Sequence, residues 1–567
     1  MPQNLLKNIF ENAFGIICAA WIFSGCANML PPPGGPKDVA PPTISTTSVQ
    51  SGTTDFRGNS ITLEFSEWVN QGSVLENIFL SPPKDMEFDW SGRELEVTFK
   101  EPLDPNTTYA LTIGAGYADL TGNKPTESHT IIFSTGSQLD SGIIRGTLTT
   151  TNPAGWYIFA YQLDGIDADT LNPAITKPKY RTQVGTSGTF EIRALPAGRY
   201  RVLAIKDEFN NGVYDESQDA FGTFLKDVTI AEGTVSEPVN IRAGAALDRN
   251  PPDILDAEAL NRRTIRVTFS ENLDTASVIS ANFVVTDSSG VVQNPVHAVQ
   301  FGLQNPRFVE IFTANSLTEN TRWRVAMSNI RDAFQNQIPD TARRERFFLG
   351  STEPDTAALR IAAATIADST IGHDLNAQFD ITFTKPINRA AFENGATLTR
   401  TFTNQPVGVN FTWRADNVVR VIPQSRLDGD AWYEFRAPLQ NVRDVQGNPA
   451  QDTTLRLRFQ TVDIRTYGGV KGTLVDSLST GGQYVITLTG QGKRFQKTIV
   501  LKSPGMWEFS EVPPGSYKIE AFEDKDSDLK YSYGSVRPFH FAERFATYSG
   551  DISVKARWTV ENVRIIF

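Results

Sequence analysis

Cysteine is almost absent from this chain: its 567 residues hold two, Cys18 and Cys26, both close to the N-terminus. The folded body therefore has no disulfide and no cysteine-ligated metal site. Histidine is nearly as scarce. His129, His297, His373 and His540 are far apart, and no pair has metal-ligand spacing. Cys–His nucleophilic chemistry and zinc centres thus lack their residues. There is no phosphate-cradling glycine loop and no Gly-x-Ser-x-Gly elbow. Positive charge is short as well: 53 Lys and Arg face 64 Asp and Glu, for a net charge of −11. Nucleic acid needs a basic surface that releases phosphate counterions, so a nucleic-acid partner is not expected. Past the first 25 residues, no apolar run is long enough to span a bilayer as a helix.

Strand formers and turn formers are present in quantity. Phe is frequent at 36 residues, Thr and Val are common, and 32 Pro and 42 Gly punctuate the chain. The length exceeds one core and suggests roughly four or five domains.

Residues 1–25 have the layout of an export signal, with Lys7 ahead of an apolar run from Ala13 to Phe23. The run has the length of a signal-peptide core, too short for a mature transmembrane helix. The stretch Phe23-Ser24-Gly25-Cys26 resembles the bacterial lipobox. That resemblance implies lipidation of Cys26 and anchoring to the membrane through an N-terminal lipid. Residues 26–40 are proline-rich and form a semi-extended tether, reaching up to about 45 Å at about 3.1 Å per residue.

Two repeats follow. The first occurs three times and opens with an alternating strand: Ile61–Glu67, Ile265–Glu271 and Phe379–Lys385. Alternation with period two buries one face and wets the other. Next come Leu103-Asp104-Pro105-Asn106-Thr107-Thr108-Tyr109, then Leu317–Trp323, then Leu427–Tyr433, each leading from a polar turn into an aromatic strand. A tight turn follows at Asp119–Asn123, Asp332–Asn336 and Asp444–Asn448, and a closing strand at Ile131–Thr135, Arg346–Leu349 and Leu457–Thr461. These marks resemble the bacterial Ig-like domain of the SbsA type, and the proline-rich start is similar to Ig-like lipoproteins of Bacteroidota.

The second repeat occurs twice, at Gly188–Val202 and Gly505–Ile519, and keeps register through Asp207/Asp524 and Tyr214/Tyr531. It reads as two strands joined by a Pro-Gly turn. It resembles prealbumin-like and carboxypeptidase-regulatory-like sandwiches, which implies a spacer or stalk. The expected fold class is all-β, as tandem β-sandwiches arranged as beads on a string. The domains expected are an Ig-like unit at 41–137, a prealbumin-like unit at 138–243, Ig-like units at 244–350 and 351–463, and a prealbumin-like unit at 464–567.

Acidic loops follow the tyrosine strands of the second repeat. Asp207, Asn211 and Asp215 in one, and Asp524, Asp526 and Asp528 in the other, place oxygen ligands as a Ca²⁺ loop would. The alternative is an acidic hairpin turn without metal. Glu67 and Glu271 recur at matched positions where the third copy has Lys385, which points to a strand-end turn or salt-bridge role rather than a catalytic acid pair. Trp68, Trp90 and Trp156 belong either to cores or to a sugar- or partner-stacking surface.

The functional expectation is a non-enzymatic, lipid-anchored protein of the outer membrane, facing the periplasm or the cell surface, acting as scaffold, spacer or adhesion module. The alternative is a carbohydrate- or protein-binding accessory subunit of an uptake or secretion machine, with an envelope protein or glycan as partner. A polysaccharide-active enzyme would need paired acids in a cleft at a domain junction.

Overall fold

The structure is a computed structural model that describes residues 38–339, 344–478, 481–492 and 495–567. The expected export signal, the expected lipidation site Cys26 and the expected tether up to residue 37 lie outside the described residues. The all-β expectation is met. Sheets succeed one another along the chain, and five separate hydrophobic cores lie between them. The first sandwich forms one compact unit and the remaining four another.

The first sandwich shows how the alternating strands work. In Ser60–Phe65 the side chains of Ile61, Leu63 and Phe65 are buried while Thr62 and Glu64 are not. This strand sits inside a sheet ordered Ile44–Thr47, Ser60–Phe65, Glu94–Phe99, Met86–Ser91. The facing sheet is Ile78–Ser81, Thr108–Ile113, His129–Ser134. The same order of strands recurs in the third sandwich (Ile254–Asn261, Thr264–Phe269, Phe308–Thr313, Val296–Phe301) and in the fourth (Ile361–Ala364, Phe379–Phe383, Val418–Pro423, Val409–Ala415).

The motif with a polar turn before an aromatic strand has a backbone cause. Asn106, Asn320 and Asp430 hold the same left-handed conformation, with φ of 50°, 54° and 57°. Asn and Asp tolerate it because their short polar side chains bond locally. The aromatic then closes the turn. The amides of Asp104 and Asp428 donate to the hydroxyls of Tyr109 and Tyr433, both at 2.9 Å.

The second and last sandwiches share a different order. In the second, Tyr180–Gln183, Tyr157–Gln162 and Gly198–Ile205 lie side by side, and Phe221–Thr223 and Val228–Ile230 both pair with Gly198–Ile205. In the last, Gln496–Leu501, Gln483–Gly490 and Gly515–Asp524 do the same, with Phe545–Thr547 and Ile552–Val554 on the third strand. Each partner sheet contains one parallel pair, Gly142–Thr149 with Val239–Arg242 and Gly468–Val475 with Thr559–Ile566. The Pro-Gly turn is closed by Tyr200, whose hydroxyl donates to the carbonyl of Pro196 at 2.8 Å, and by Tyr517 on Pro513 at 2.5 Å.

Within the larger unit, the described residues also show contact between sandwiches that are not chain neighbours. The second and last meet through residues 310 positions apart, where the hydroxyl of Thr223 donates to the carbonyl of Tyr533. Arg242 pairs with Glu520 at 2.7 Å and lies over the rings of Tyr531 and Phe545. Arg201 covers Phe539 at 3.8 Å from the ring centre.

Candidate functional site

The two acidic loops are built alike, and most of their carboxylates cap backbone. Asp207 accepts from the amides of Asn211 at 3.0 Å and Gly212 at 2.8 Å. Asp524 accepts from Ser527 at 2.8 Å and Leu529 at 3.0 Å, and from the Gln483 side chain at 2.8 Å. Each loop leans on a buried acid farther along the chain. Asp219 accepts from the amides of Glu208 and Asp215, and Glu543 from those of Lys525 and Ser532. Burial raises the carboxyl of Glu543, and neighbouring Asp524 and Asp526 add to that.

Of the six loop residues expected to hold Ca²⁺, the structure brings Asp524 and Asp526 together, with Glu543 as the third carboxylate; their oxygens lie within 4.8 Å of one another. Asp528 is not one of the three. Its side chain accepts from the amide of Lys530. In the other loop the Asn211 amide donates to Asp215 at 2.7 Å, which ties the hairpin together. Glu543 escapes a reading of the loop alone because it lies on a later segment.

A second acidic site emerges where the chain enters each unit of the three-copy repeat. Three segments converge there. The first is the strand end. The hydroxyls of Ser66, Ser270 and Thr384 accept, at 2.9 Å, from the amides of Thr43, Asp253 and Arg360. The next residue in each case is Glu67, Glu271 or Lys385. The second segment is the tight turn. Val69, Leu273 and Ile387 each bridge to the turn aspartate, Asp119, Asp332 or Asp444. Those aspartates accept from the amide and side chain of the asparagine four residues on, Asn123, Asn336 or Asn448. The third segment is the entering chain, which supplies Asp38, Asp248 or Asp355 five positions before the capped amide. Asn123 and Asn336 also donate to the backbone carbonyls of Asp38 and Asp248, which locks the entering chain to the turn.

The three corners differ in charge. In the first and third sandwiches, three carboxylates point at one another: Asp38, Glu67 and Asp119, and Asp248, Glu271 and Asp332, with oxygens within 4.8 Å in each set. Among the described residues none of the six forms an ion pair with a basic side chain. The Glu67 carboxyl is raised by burial and then by Asp38 and Asp119. Glu271 is pushed up to about 7 by burial and by Asp248 and Asp332. In the fourth sandwich the ammonium of Lys385 fills the corner, pairing with Asp355 and, at 3.4 Å, with Asp444. It also donates to the carbonyl of Ala357. All three of these side chains are at most 6% exposed. The salt-bridge role expected at this position therefore holds for Lys385, while the two glutamates face other acids.

The remaining candidates lie apart. His373 bonds the Thr370 hydroxyl, and His540 bonds Ser535. Among the described residues no histidine joins a potential metal cluster. Trp156 is in the second core, and Trp90 is half-buried and stacks on Phe65 at 5.7 Å. Trp68 is exposed. On the last sandwich a shallow groove of about 400 Å³ is lined by Lys471, Trp507, Glu508 and Glu561, among others. The buried indole Nε1 of Trp507 has no hydrogen-bond partner. No helix among the described residues is long and apolar enough to cross a membrane.

Residues 38–135 and 355–461, the first and fourth sandwiches, match the family model of the bacterial Ig-like domain. A search of curated proteins finds no match. Among solved structures, the chain is similar to the N-terminal part of the bacterial S-layer protein SbsC, at 11% identity over 54% of this chain and 44% of that one, with a TM-score of 0.17. The chain thus spans less than half of that structure. It is also similar to SbsC domains 1–6 at 9% identity (86% of this chain, 66% of that one, TM-score 0.16). A third is L,D-transpeptidase 3 from Mycobacterium tuberculosis at 14% identity (26% and 46%, TM-score 0.14). Superpositions this loose carry no argument about function.

Proposed function

We propose that this protein is a non-enzymatic, lipid-anchored component of a bacterial envelope whose sandwiches serve as scaffold, spacer or adhesion module. The observation that carries this reading is the repetition. Five sandwiches with separate cores follow one another, three built to one strand order and two to another. Two of the first kind match the bacterial Ig-like domain. Repetition of a self-contained core supplies length and a surface without requiring a shared cleft. In this reading the lipobox-like stretch ending at Cys26 supplies the anchor, and the proline-rich start, similar to that of Ig-like lipoproteins of Bacteroidota, favours the outer membrane.

The test is membrane fractionation with protease shaving of intact cells, comparing the native protein with Cys26→Ala. The anchored reading requires the native protein in the membrane fraction and Cys26→Ala released from it. Retention of Cys26→Ala in the membrane sinks the lipid anchor. Cleavage on intact cells identifies a surface scaffold or adhesin, and protection until the outer membrane is opened identifies a periplasmic one.

A second reading, an accessory subunit that binds glycan or protein, draws on the last sandwich. Its groove is edged by the strongly exposed Met506, and Trp558 is strongly exposed on the same domain. Glycan-array binding that Trp558→Ala abolishes, with the fold intact by circular dichroism, would favour it.

A further inference from the structure

We propose that the entry end of the first sandwich rests on the phospholipid bilayer that carries the anchor, through Val39, Trp68 and Leu120. The inference builds on the lipid-anchor reading above. Val69 bridges to Asp119, so Trp68 and Leu120 lie opposite each other across that bridge. They are 58% and 71% exposed. Val39, also exposed, belongs to the entering chain, which the Asn123 side chain clasps at the carbonyl of Asp38. Three exposed apolar side chains thus stand at the end of the sandwich where the chain arrives.

The other Ig-like copies show that the scaffold does not demand this bulk. In the third sandwich the same two positions are Asn272 and Ala333, both exposed. Its exposed Phe334 stands one place farther on, outside the pair. In the fourth sandwich the positions are Pro386, buried, and Val445, half-buried, and the amide of Val445 donates to the carbonyl of Pro386 at 3.1 Å. The third sandwich is bonded to this end of the fourth. The Gln300 side chain donates to the carbonyl of Thr384 at 3.2 Å, and the Gln446 side chain donates to the Thr264 hydroxyl at 3.1 Å. Among the three copies, then, only the first combines apolar bulk at both positions with exposure. What precedes it is residues 26–37 and, in the anchored reading, the lipid on Cys26. Those 12 residues reach at most about 37 Å at about 3.1 Å each. A tether this short keeps the end beside the bilayer, so a contact too weak to hold a free protein becomes populated. Tryptophan suits the interface because its ring is apolar and its N–H is polar, while Leu and Val enter the acyl boundary. The carboxylates of Asp38 and Glu67 beside the pair offer nothing to anionic lipid, so the contact is apolar rather than electrostatic.

The test reconstitutes the full lipidated chain in vesicles of zwitterionic phosphatidylcholine and phosphatidylethanolamine whose acyl chains carry bromine. A fluorophore on Leu120→Cys reports this end, and one on Ile371→Cys, at an equally exposed position of the fourth sandwich, is the control. With the expected signal removed and Cys26 acylated, the label has no other free thiol to react with. Bromine is expected to quench the Leu120 label at least about twofold and to leave the Ile371 label unchanged. Adding Trp68→Ser should remove about half or more of the quenching at Leu120. A chain that floats with the vesicles but shows no quenching at Leu120 overturns the contact and leaves the anchor standing. Quenching that Trp68→Ser leaves unchanged, or that is equal at both labels, overturns it too. A blue shift without quenching would mean that a second copy of this chain covers the pair, which also overturns it. A chain that does not float with the vesicles overturns the anchor and this contact with it.

Discussion

A single side chain illustrates how charge is buried here. Arg544 of the last sandwich lies between Asp476 and Glu523, and the exposures of the three side chains are 12%, 0% and 0%. The guanidinium holds Glu523 at 2.7 Å, and the Tyr484 hydroxyl donates to Asp476 at 2.7 Å. Burial alone would raise the Asp476 carboxyl. Hydrogen bonds from Arg544 and Tyr484 outweigh it and hold the group below the usual range. Removing the arginine leaves two buried carboxylates uncompensated, so Arg544→Met is expected to cost about 3–5 kcal/mol in urea unfolding. Asp380 is depressed for a related reason. Its bidentate partner Arg420, at 2.6 and 2.8 Å, lowers it against an opposing effect of burial. Both folded carboxyls lie below their unfolded values. Their contribution is therefore complete above the ordinary aspartate pKa of about 3.9 and is lost as pH falls through the lower folded values. Urea midpoints should fall on acidification below about pH 4, and Asp380→Asn should flatten part of that slope.

At the scale of elements, the third sandwich solves a shared problem with different residues. In the first and fourth, Thr135 and Thr461 donate their hydroxyls to the carbonyls of Asp104 and Asp428 beside the tyrosine-closed turn. In the third, Trp323 replaces the tyrosine and Gly350 stands where the threonine would be, just past the strand that pairs Trp323 with Phe348. A Cβ on Gly350 would lie 2.1 Å from the Thr318 carbonyl and 2.9 Å from the Trp323 indole nitrogen, so the larger ring and the missing side chain belong together. Gly350→Thr alone should destabilise this sandwich by about 1–3 kcal/mol through overpacking. Combined with Trp323→Tyr it should cost less than the two changes summed, by about 1 kcal/mol in a double-mutant cycle. Additive costs would show that the two positions are independent. The same scale explains what could be read from the chain. Alternation exposed the strands because each buries one face, and the Asp and Asn turns were legible because their caps are local. The acidic corners were not, since Asp38, Glu67 and Asp119 come from three segments that meet only in the fold. Glu543 is likewise hidden, being brought to the Asp524 loop by a later segment, just ahead of the strand Phe545–Thr547.

At the scale of the whole molecule, the contact between the second and last sandwiches is the feature that a repeat pattern cannot contain. Repeats report what is the same in two copies, whereas this contact uses what differs. Arg242 and Arg201 come from one copy, while Tyr531, Phe539 and Phe545 come from the other. The close approach also depends on two glycines. A Cβ on Gly244 would lie 2.9 Å from the Tyr533 ring, and one on Gly534, whose φ is 76°, would lie 2.1 Å from the Thr223 hydroxyl oxygen. Arg242, 16% exposed, pairs with Glu520 while covering two aromatic rings, so it joins a charge contact to an apolar one. Arg242→Glu would set a like charge beside Glu520 and should open the contact without entering either core. The readout is direct, because the amide of Thr223 donates to the carbonyl of Tyr533 at 3.1 Å. If the sandwiches stay docked in the native protein, exchange at the Thr223 amide should speed up by about tenfold or more in Arg242→Glu, which corresponds to about 1.4 kcal/mol of lost closure. Core amides such as those of Val202 and Ile519 should hold their protection. Fast exchange at Thr223 already in the native protein would mean that the two sandwiches part freely in solution and that the chain behaves there as beads joined only in sequence.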